Sequence, residues 1–188
     1  MSGSGFQFDA SQPYQLDAIA SVVDLFDGQP KDAEKLVTTL RSAAVLPDSD
    51  QAALDIELRQ EVGAVGNSLV LDRDLILANL QRVQDRNGLE VGPSLAGDAL
   101  DFDIEMETGT GKTYVYLRTI FNLAVRYNFT KFVILVPSVA IREGVSTSIR
   151  LMRAHFESLY KPRGITFDAS IYSGKSAEEV QSFATSTN

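Results

Sequence analysis

The string Glu107-Thr-Gly-Thr-Gly-Lys-Thr113 restricts the fold of this 188-residue chain more than any other feature. Gly109 and Gly111 allow left-handed backbone angles that other residues resist, so that successive main-chain N–H groups can converge on one anion. The apolar periodicity of residues 112–127 predicts a packed helix directly afterwards. The dipole of such a helix places partial positive charge at its N-terminus. The string is therefore typical of a loop that binds phosphate groups.

Lys112 and Thr113 predict which phosphates the loop binds. A lysine here supplies a charge that reaches the β- and γ-phosphates, and the next hydroxyl contacts the Mg²⁺ that bridges them. We therefore predict a site for a nucleoside triphosphate and Mg²⁺, with Lys112 as the catalytic residue and Thr113 as the metal ligand. The predicted phosphate-contacting set is Thr108, Gly109, Thr110, Gly111, Lys112 and Thr113. The full pattern begins with Gly six residues before the lysine, where this chain has Met106. The alternative is an ordinary Gly-rich turn between a strand and a helix.

Strand-like patterns lie on both sides of the loop. Apolar residues alternate with acidic ones from Leu100 to Met106, and Phe132–Val136 is a continuous apolar run. We predict strands over residues 100–106, 131–136 and 166–172, with helices over 112–127 and from 137 to about 160 between them. Strand, helix, strand, helix and strand in this order indicate an α/β fold with a parallel sheet.

The first half of the chain reads as mainly helical. Ser11 precedes Pro13 and an apolar stripe, so we predict a helix with Ser11 as its N-terminal cap. A second helix is predicted over residues 31–45, and a third from Asp72 to Asn87-Gly88. We divide the chain into three parts: residues 1–28 (an arm and the first helix), 29–98 (an acidic, mostly helical insert) and 99–188 (the strand–helix core around the loop).

Charge is distributed unevenly along the chain. The net charge is −8, with 16 acidic and 7 basic residues in residues 1–100 but 9 acidic and 10 basic residues in 101–188. A basic face for phosphate contacts in the second half fits the sequence as well as a solvated mixture of charges does. The lack of Cys and the single His exclude disulfides, Cys-based zinc or thiol chemistry and His-rich metal sites. No apolar run approaches the roughly 18–20 residues of a membrane span, and the start lacks a signal-peptide pattern, so we expect a cytoplasmic protein.

Several strings resemble one family, the restriction (Res) subunit of type III restriction-modification enzymes. The two most specific are Glu105-Met-Glu-Thr-Gly-Thr-Gly-Lys-Thr113 and Val136-Pro-Ser-Val-Ala-Ile-Arg-Glu-Gly-Val145. The others are Phe8, Tyr14-Gln-Leu-Asp-Ala-Ile19, Gly66-Asn-Ser-Leu69 and Asn79-Leu-Gln-Arg-Val-Gln84. Together the matching strings extend over most of the chain.

The resemblance implies a partial RecA-like P-loop NTPase domain, within a superfamily-two helicase that uses ATP to move on double-stranded DNA. It implies a type III site-specific deoxyribonuclease as the whole enzyme and a modification (methyltransferase) subunit as its partner. It also implies that the chain ends before motif II, so we expect this piece alone to be inactive. We further expect the run Phe132–Val136 to be partly uncovered and this piece alone to be marginally stable, self-associating, or both. Two alternatives stay open: part of another P-loop DNA-repair helicase, or a non-catalytic interaction module that uses the acidic segment 29–98.

The resemblance assigns roles to single residues outside the loop as well. Gln15 matches a glutamine that senses adenine, and an amide can donate to and accept from an adenine edge at once. Phe8, or Phe6, is implied to stack on the base, with core packing as the alternative. Ser138 and Arg142 fall in motif Ia, where DNA phosphates are contacted. For these two residues the alternatives are a helix cap and a solvated surface charge.

Overall fold

The computed structural model describes residues 9–31, 67–172, 174 and 177–185. In chain order its helices are α1 (Pro13–Val23), α2 (Arg73–Arg86), α3 (Lys112–Tyr127), α4 (Val139–Tyr160) and α5 (Ala177–Thr185), with 3₁₀ turns at Asp24–Phe26 and Lys161–Arg163. The predictions of α2, α3 and α4 are confirmed. The helix predicted over 31–45 lies outside the described residues. Within the described part of the chain, no helix has the length and apolar character that a membrane crossing requires.

Local side-chain caps explain where two of these helices begin. The Asp72 carboxylate accepts a hydrogen bond from the main-chain N–H of Leu75 at 2.7 Å, which starts α2. The Ser138 hydroxyl oxygen accepts one from the N–H of Ile141 at 3.3 Å, which starts α4. Helix α2 then ends before Gly88, whose φ of +66° terminates it in the predicted place.

The predicted cap of α1 is wrong. The helix begins at Pro13 with Gln12 as its flanking residue, and no side chain caps it. Ser11 belongs instead to the preceding turn, where its main-chain N–H donates to the Asp9 carboxylate at 2.8 Å. The Ser11 hydroxyl donates to the same carboxylate at 2.5 Å. A nearby acceptor of full charge therefore engages the serine that would otherwise cap the helix.

Helix α3 is the central element because it is buried on two faces. One face packs along α1, in a cluster of Ile19, Val23, Val115, Leu123, Tyr127 and Phe129. The other face packs on α4, in a cluster of Tyr114, Leu117, Phe121, Met152, Phe156 and Tyr160. Stacked rings dominate this second cluster, with the Phe121 centroid 4.8 Å from that of Phe156 and 4.7 Å from that of Tyr160. The Gly-rich loop thus precedes a helix that is packed on two faces.

Helix α2 is fixed to the end of α1 by one buried amide. Asn79 is only 1% exposed, and its Nδ2 donates to the main-chain carbonyls of Leu25 and Asp27, at 2.9 Å each. Arg82 donates to the Oδ1 of Asn79 and completes the set of partners. An amide in a core position needs such partners, since an unpaired buried polar group is costly.

Two other amides tie distant segments of main chain together. The buried Gln29 donates to the carbonyl of Ser68 at 2.7 Å and accepts from the N–H of Val70 at 3.1 Å. Asn67 Oδ1 accepts from the N–H of Thr130 at 2.7 Å. Asn67 and Asn79 belong to strings on which the family resemblance rests, and both act here through main-chain hydrogen bonds.

Ion pairs join the ends of α1, α2 and α3. The Asp24 carboxylate accepts from Arg86 and from Arg126, each at 2.7 Å. The Asp27 carboxylate accepts from Arg126 at 3.0 Å and from Arg82 at 3.3 Å. Because Arg126 contacts both carboxylates, it links the C-terminal turn of α3 to the segment that follows α1.

The predicted α/β fold with a parallel sheet is wrong for this structure. Residues 100–106, 131–136 and 166–172 are neither helix nor strand, and no strand is found anywhere in the described ranges. Val133 is 71% exposed and Leu135 is 88% exposed, so the apolar run is not buried on two faces. Apolar alternation reports only a local preference for an extended chain. A strand also needs a neighbouring segment that pairs with its N–H and C=O groups, and none of the three segments has one here.

Candidate nucleotide-binding site

The loop before α3 has the backbone geometry that the glycines predict. Gly109 and Gly111 both have φ of +85°, in the left-handed region. The Thr110 hydroxyl donates to the main-chain carbonyl of Glu107 at 2.7 Å and closes the turn. Gly111 is the residue that flanks the start of α3, and no side chain caps the helix there. The first N–H groups of α3 are therefore left for an external acceptor.

The space around the loop is open on the side of Gly109. A Cβ built at Gly109 would meet no atom within 4 Å. Lys112 is exposed, and no carboxylate of a described residue lies within ion-pairing distance of its ammonium group. Thr113 is half-buried at the first turn of α3. Among the described residues, the side of the loop at Gly109 is thus open to an anion.

Gln15 supports the loop from the other side. Its side chain is buried, with 8% exposed, and its Nε2 donates to the main-chain carbonyl of Thr110 at 2.9 Å. A Cβ at Gly111 would lie only 2.6 Å from this nitrogen. The structure therefore brings together the loop and Gln15, which are about a hundred residues apart in the sequence. The role of Gln15 toward an adenine base stays a prediction.

The other predicted site residues are not joined to the loop. Phe8 lies outside the described residues. Ser138 caps α4, and Arg142 is half-buried, with its Nη2 3.4 Å from the Glu143 carboxylate. Neither residue forms a hydrogen bond with residues 107–113 in the described ranges. Their contacts to DNA remain predictions.

The loop offers hard oxygen donors but no preformed metal cage. Among the described residues, no group of three or more His, Asp or Glu side chains could hold a metal ion. The Thr113 hydroxyl is the donor next to the uncapped N-terminus of α3. Mg²⁺ accepts such sites, because it usually keeps waters and takes its other ligands from substrate phosphates. The residues present therefore fit a magnesium ion that arrives with a nucleotide.

A polar cluster that the sequence analysis missed lies behind the loop. Tyr114 is buried, and its hydroxyl is 3.1 Å from Nε2 of His155. The Nη1 group of Arg118 donates to the Tyr114 hydroxyl at 3.4 Å and to the main-chain carbonyl of Ala10. Burial lowers the pKa of His155, and the nearby Arg118 charge lowers that pKa further. Tyr114 and Arg118 are one helical turn apart on α3, which is the only signal in the sequence that relates them.

The chain matches the family model described as type III restriction enzyme, res subunit, over residues 10–184. It is 28% identical over 160 residues to the EcoPI Res subunit of Escherichia phage P1, which covers 84% of this chain and 14% of that relative. It is 36% identical over 86 residues to the EcoP15I Res subunit of Escherichia coli, covering 44% of this chain and 9% of the relative. The StyLTI Res subunit of Salmonella typhimurium is 46% identical over 66 residues, which are 34% of this chain and 7% of the relative.

No solved structure matches the chain significantly. The chain spans 14% or less of the length of the three Res subunits. The family match nevertheless extends from the turn before α1 into the last turn of α5 and includes the whole loop. This chain therefore belongs to the family of type III restriction enzyme res subunits.

Proposed function

We propose that this chain binds ATP and Mg²⁺ through residues 108–113, as the nucleotide-binding part of the DNA-translocating motor of a type III restriction endonuclease. The uncapped N-terminus of α3 carries this proposal, since it follows two left-handed glycines and an exposed lysine stands beside it. The named relatives are Res subunits of type III restriction-modification enzymes, which supports the assignment to such a motor.

Each residue of the loop has a distinct task in this proposal. The main chain of Gly109 and Gly111 directs N–H groups inward, where the dipole of α3 adds positive potential. The Lys112 ammonium group neutralises charge on the outer phosphates. The Thr113 hydroxyl holds the magnesium ion, whose chemistry when bound is to neutralise charge between the phosphates. The buried packing of α3 on both faces keeps these groups in place.

Selection of adenine would come from Gln15. Its Nε2 already donates to the Thr110 carbonyl, so its Oε1 is the acceptor that is left for a base. The exocyclic amino group of adenine can donate to this oxygen, whereas guanine presents a carbonyl at the same place. We therefore expect adenine nucleotides to bind better than guanine nucleotides. Phe8 is proposed to stack on the base.

The whole enzyme is proposed to be an ATP-dependent type III site-specific deoxyribonuclease. Its substrate would be double-stranded DNA, and its partner would be a modification (methyltransferase) subunit. Ser138 and Arg142 are the proposed phosphate contacts of this chain, because they lie at the N-terminal end of α4, where main-chain N–H groups favour anions.

Titration of a fluorescent ATP analogue tests the site. We expect Lys112→Ala to weaken binding at least about tenfold, since a hydrogen bond to a charged group contributes roughly 1.5–3 kcal/mol. Lys161→Ala is the matched control, because it removes the same charge from an exposed position at the far end of α4. The unfolding free energy of the Lys112 variant should stay within about 0.5 kcal/mol of the wild type. Equal affinity of Lys112→Ala and wild type would exclude this loop as the nucleotide site.

Competition between ATP and GTP tests the role of Gln15. The wild type should prefer ATP, and Gln15→Ala should lose that preference. A preference for ATP that survives the substitution would remove Gln15 from base recognition, but it would leave the phosphate site intact.

A further inference from the structure

Arg118 of α3 contacts the described segment before α1, residues 9–12. Its Nη1 donates to the main-chain carbonyl of Ala10, and its Cζ lies 5.9 Å from the centroid of the Tyr114 ring. The side chain is half-buried, and its Nε has no hydrogen-bond partner in the described part of the protein. A guanidinium held this way is costly to desolvate, so the contact to Ala10 is a significant part of what compensates it.

The Ala10 carbonyl that accepts from Arg118 belongs to a turn held by hydrogen bonds. The Asp9 carboxylate accepts from the main-chain N–H of Ser11 at 2.8 Å and from Nε2 of Gln12 at 2.7 Å. The Ser11 hydroxyl also donates to this carboxylate and is the largest cause that lowers the pKa of Asp9, and the other two hydrogen bonds lower it further. The carboxylate is therefore ionised at neutral pH. The turn 9–12 is therefore one unit, and Arg118 attaches it to α3.

This turn leads directly into α1, which carries Gln15 in its first turn. Gln15 in turn donates to the carbonyl of Thr110 in the loop. The start of α1 is thus connected to the loop and α3 at two points, one at Ala10 through Arg118 and one at Thr110 through Gln15. Among the described residues, the contacts of Arg118 with Ala10 and Tyr114 do not involve the loop itself.

We propose that Arg118 is a positioning residue for nucleobase recognition. By holding turn 9–12 against α3, it sets the direction in which Gln15 enters the site and so the placement of its remaining acceptor oxygen. The phosphate-binding geometry does not depend on this contact, because the two glycines and the Thr110–Glu107 hydrogen bond shape the loop locally. The inference rests on the proposed ATP site.

The test compares a ligand that has a base with one that has none. Affinities of ATP, GTP and inorganic tripolyphosphate are measured by calorimetry for the wild type, Arg118→Ala, Arg118→Lys and Lys112→Ala. We expect Arg118→Ala to weaken ATP binding about 3- to 10-fold, the range of one lost hydrogen bond. It should bring the affinities for ATP and GTP closer together. The affinity for tripolyphosphate should stay within about twofold of the wild-type value. Arg118→Lys, which keeps a donor for Ala10, should restore part of the loss.

Arg126→Ala controls for a general loss of stability. Arg126 lies on the same helix and contacts Asp24 and Asp27, but it has no hydrogen bond to turn 9–12. Its removal should lower the unfolding midpoint without changing the ratio of ATP to tripolyphosphate affinity.

Two sets of results would overturn the positioning role. One is that Arg118→Ala changes the affinities for ATP and tripolyphosphate by the same factor, or changes neither. The other is that Arg118→Ala leaves the ratio of ATP affinity to GTP affinity unaltered. If the proposed ATP site is itself wrong, Lys112→Ala will bind all three ligands with wild-type affinity. The positioning role of Arg118 is then refuted as well.

Discussion

Replacing Gly111 by alanine tests how Gln15 supports the loop. Gly109 and Gly111 share a φ of +85°, so alanine meets a left-handed φ at either position. They differ in what surrounds them. A Cβ at Gly109 meets nothing within 4 Å, whereas a Cβ at Gly111 lies 2.6 Å from Nε2 of Gln15. Gly109→Ala is therefore a matched control that isolates the strain from the clash.

The expected magnitudes follow from these two contributions. An L-residue in the left-handed region costs about 1–2 kcal/mol, and this applies to both variants. At Gly111 the amide of Gln15 must also move away and lose its hydrogen bond to the Thr110 carbonyl, about 0.5–1.5 kcal/mol. The gain from a less flexible unfolded chain is the same for both substitutions and cancels in the comparison. We expect Gly111→Ala to be less stable than Gly109→Ala by about 1 kcal/mol.

Urea unfolding followed by circular dichroism measures these differences, and a double-mutant cycle with Gln15→Ala locates their source. Once Gln15 is alanine, the nitrogen that clashes is gone, so Gly111→Ala should cost only as much as Gly109→Ala. Equal stability of Gly109→Ala and Gly111→Ala in the parent chain would refute the reasoning. So would an extra cost at Gly111 that persists in the Gln15→Ala background.

Three further predictions concern the rest of the structure. Asn79→Ala should lower the free energy of unfolding by about 2–4 kcal/mol in urea denaturation, because one buried and one partly buried main-chain carbonyl lose their donor; a loss under 1 kcal/mol would contradict this. Although partial burial opposes the shift, hydrogen bonds from Arg86 and Arg126 lower the pKa of Asp24 below its ordinary 3.8. The stability from these ion pairs is therefore complete above that value and lost as the pH falls through the lowered pKa. In Asp24→Asn the free energy of unfolding should therefore depend less on pH in this acidic range. Since Leu135 is 88% exposed within an apolar run, the chain should self-associate in size-exclusion chromatography, and Leu135→Lys should elute later; identical elution would argue against this contact surface.

Helices and the loop were predictable because their signals are local. The cap at Asp72, the left-handed Gly88 and the apolar period of residues 112–127 all act within a few residues of the structure they specify. The loop was predictable for the same reason, since its glycines and Lys112 are contiguous. The cap assigned to Ser11 failed because the helix starts one residue later, with Gln12 at the capping position, and Ser11 lies in the turn formed with Asp9.

Strands were not predictable in the same way because their hydrogen bonds are not local. The sequence of Phe132–Val136 shows that the segment is apolar, but it does not show which other segment pairs with it. In the described residues no other segment does, and two of its side chains are mostly exposed. The partly uncovered run was therefore an accurate expectation, although the sheet that should have contained it was wrong.

The site residues divide along the same line. Residues that would face a nucleotide, such as Lys112 and Thr113, stand in one string and are visible in the sequence. The contacts that connect α1 to the loop and to α3 join residues far apart in the sequence: Gln15 bonds to Thr110, and Arg118 bonds to Ala10. No periodicity relates the members of such pairs, because each contact exists only once α1 has packed on α3. A sequence motif therefore predicts the chemistry of the phosphate site, whereas the placement of Gln15 depends on the packing of two helices far apart in the chain. For this reason we expect variants at Gln15 and Arg118, and not within the motif, to separate base recognition from phosphate recognition.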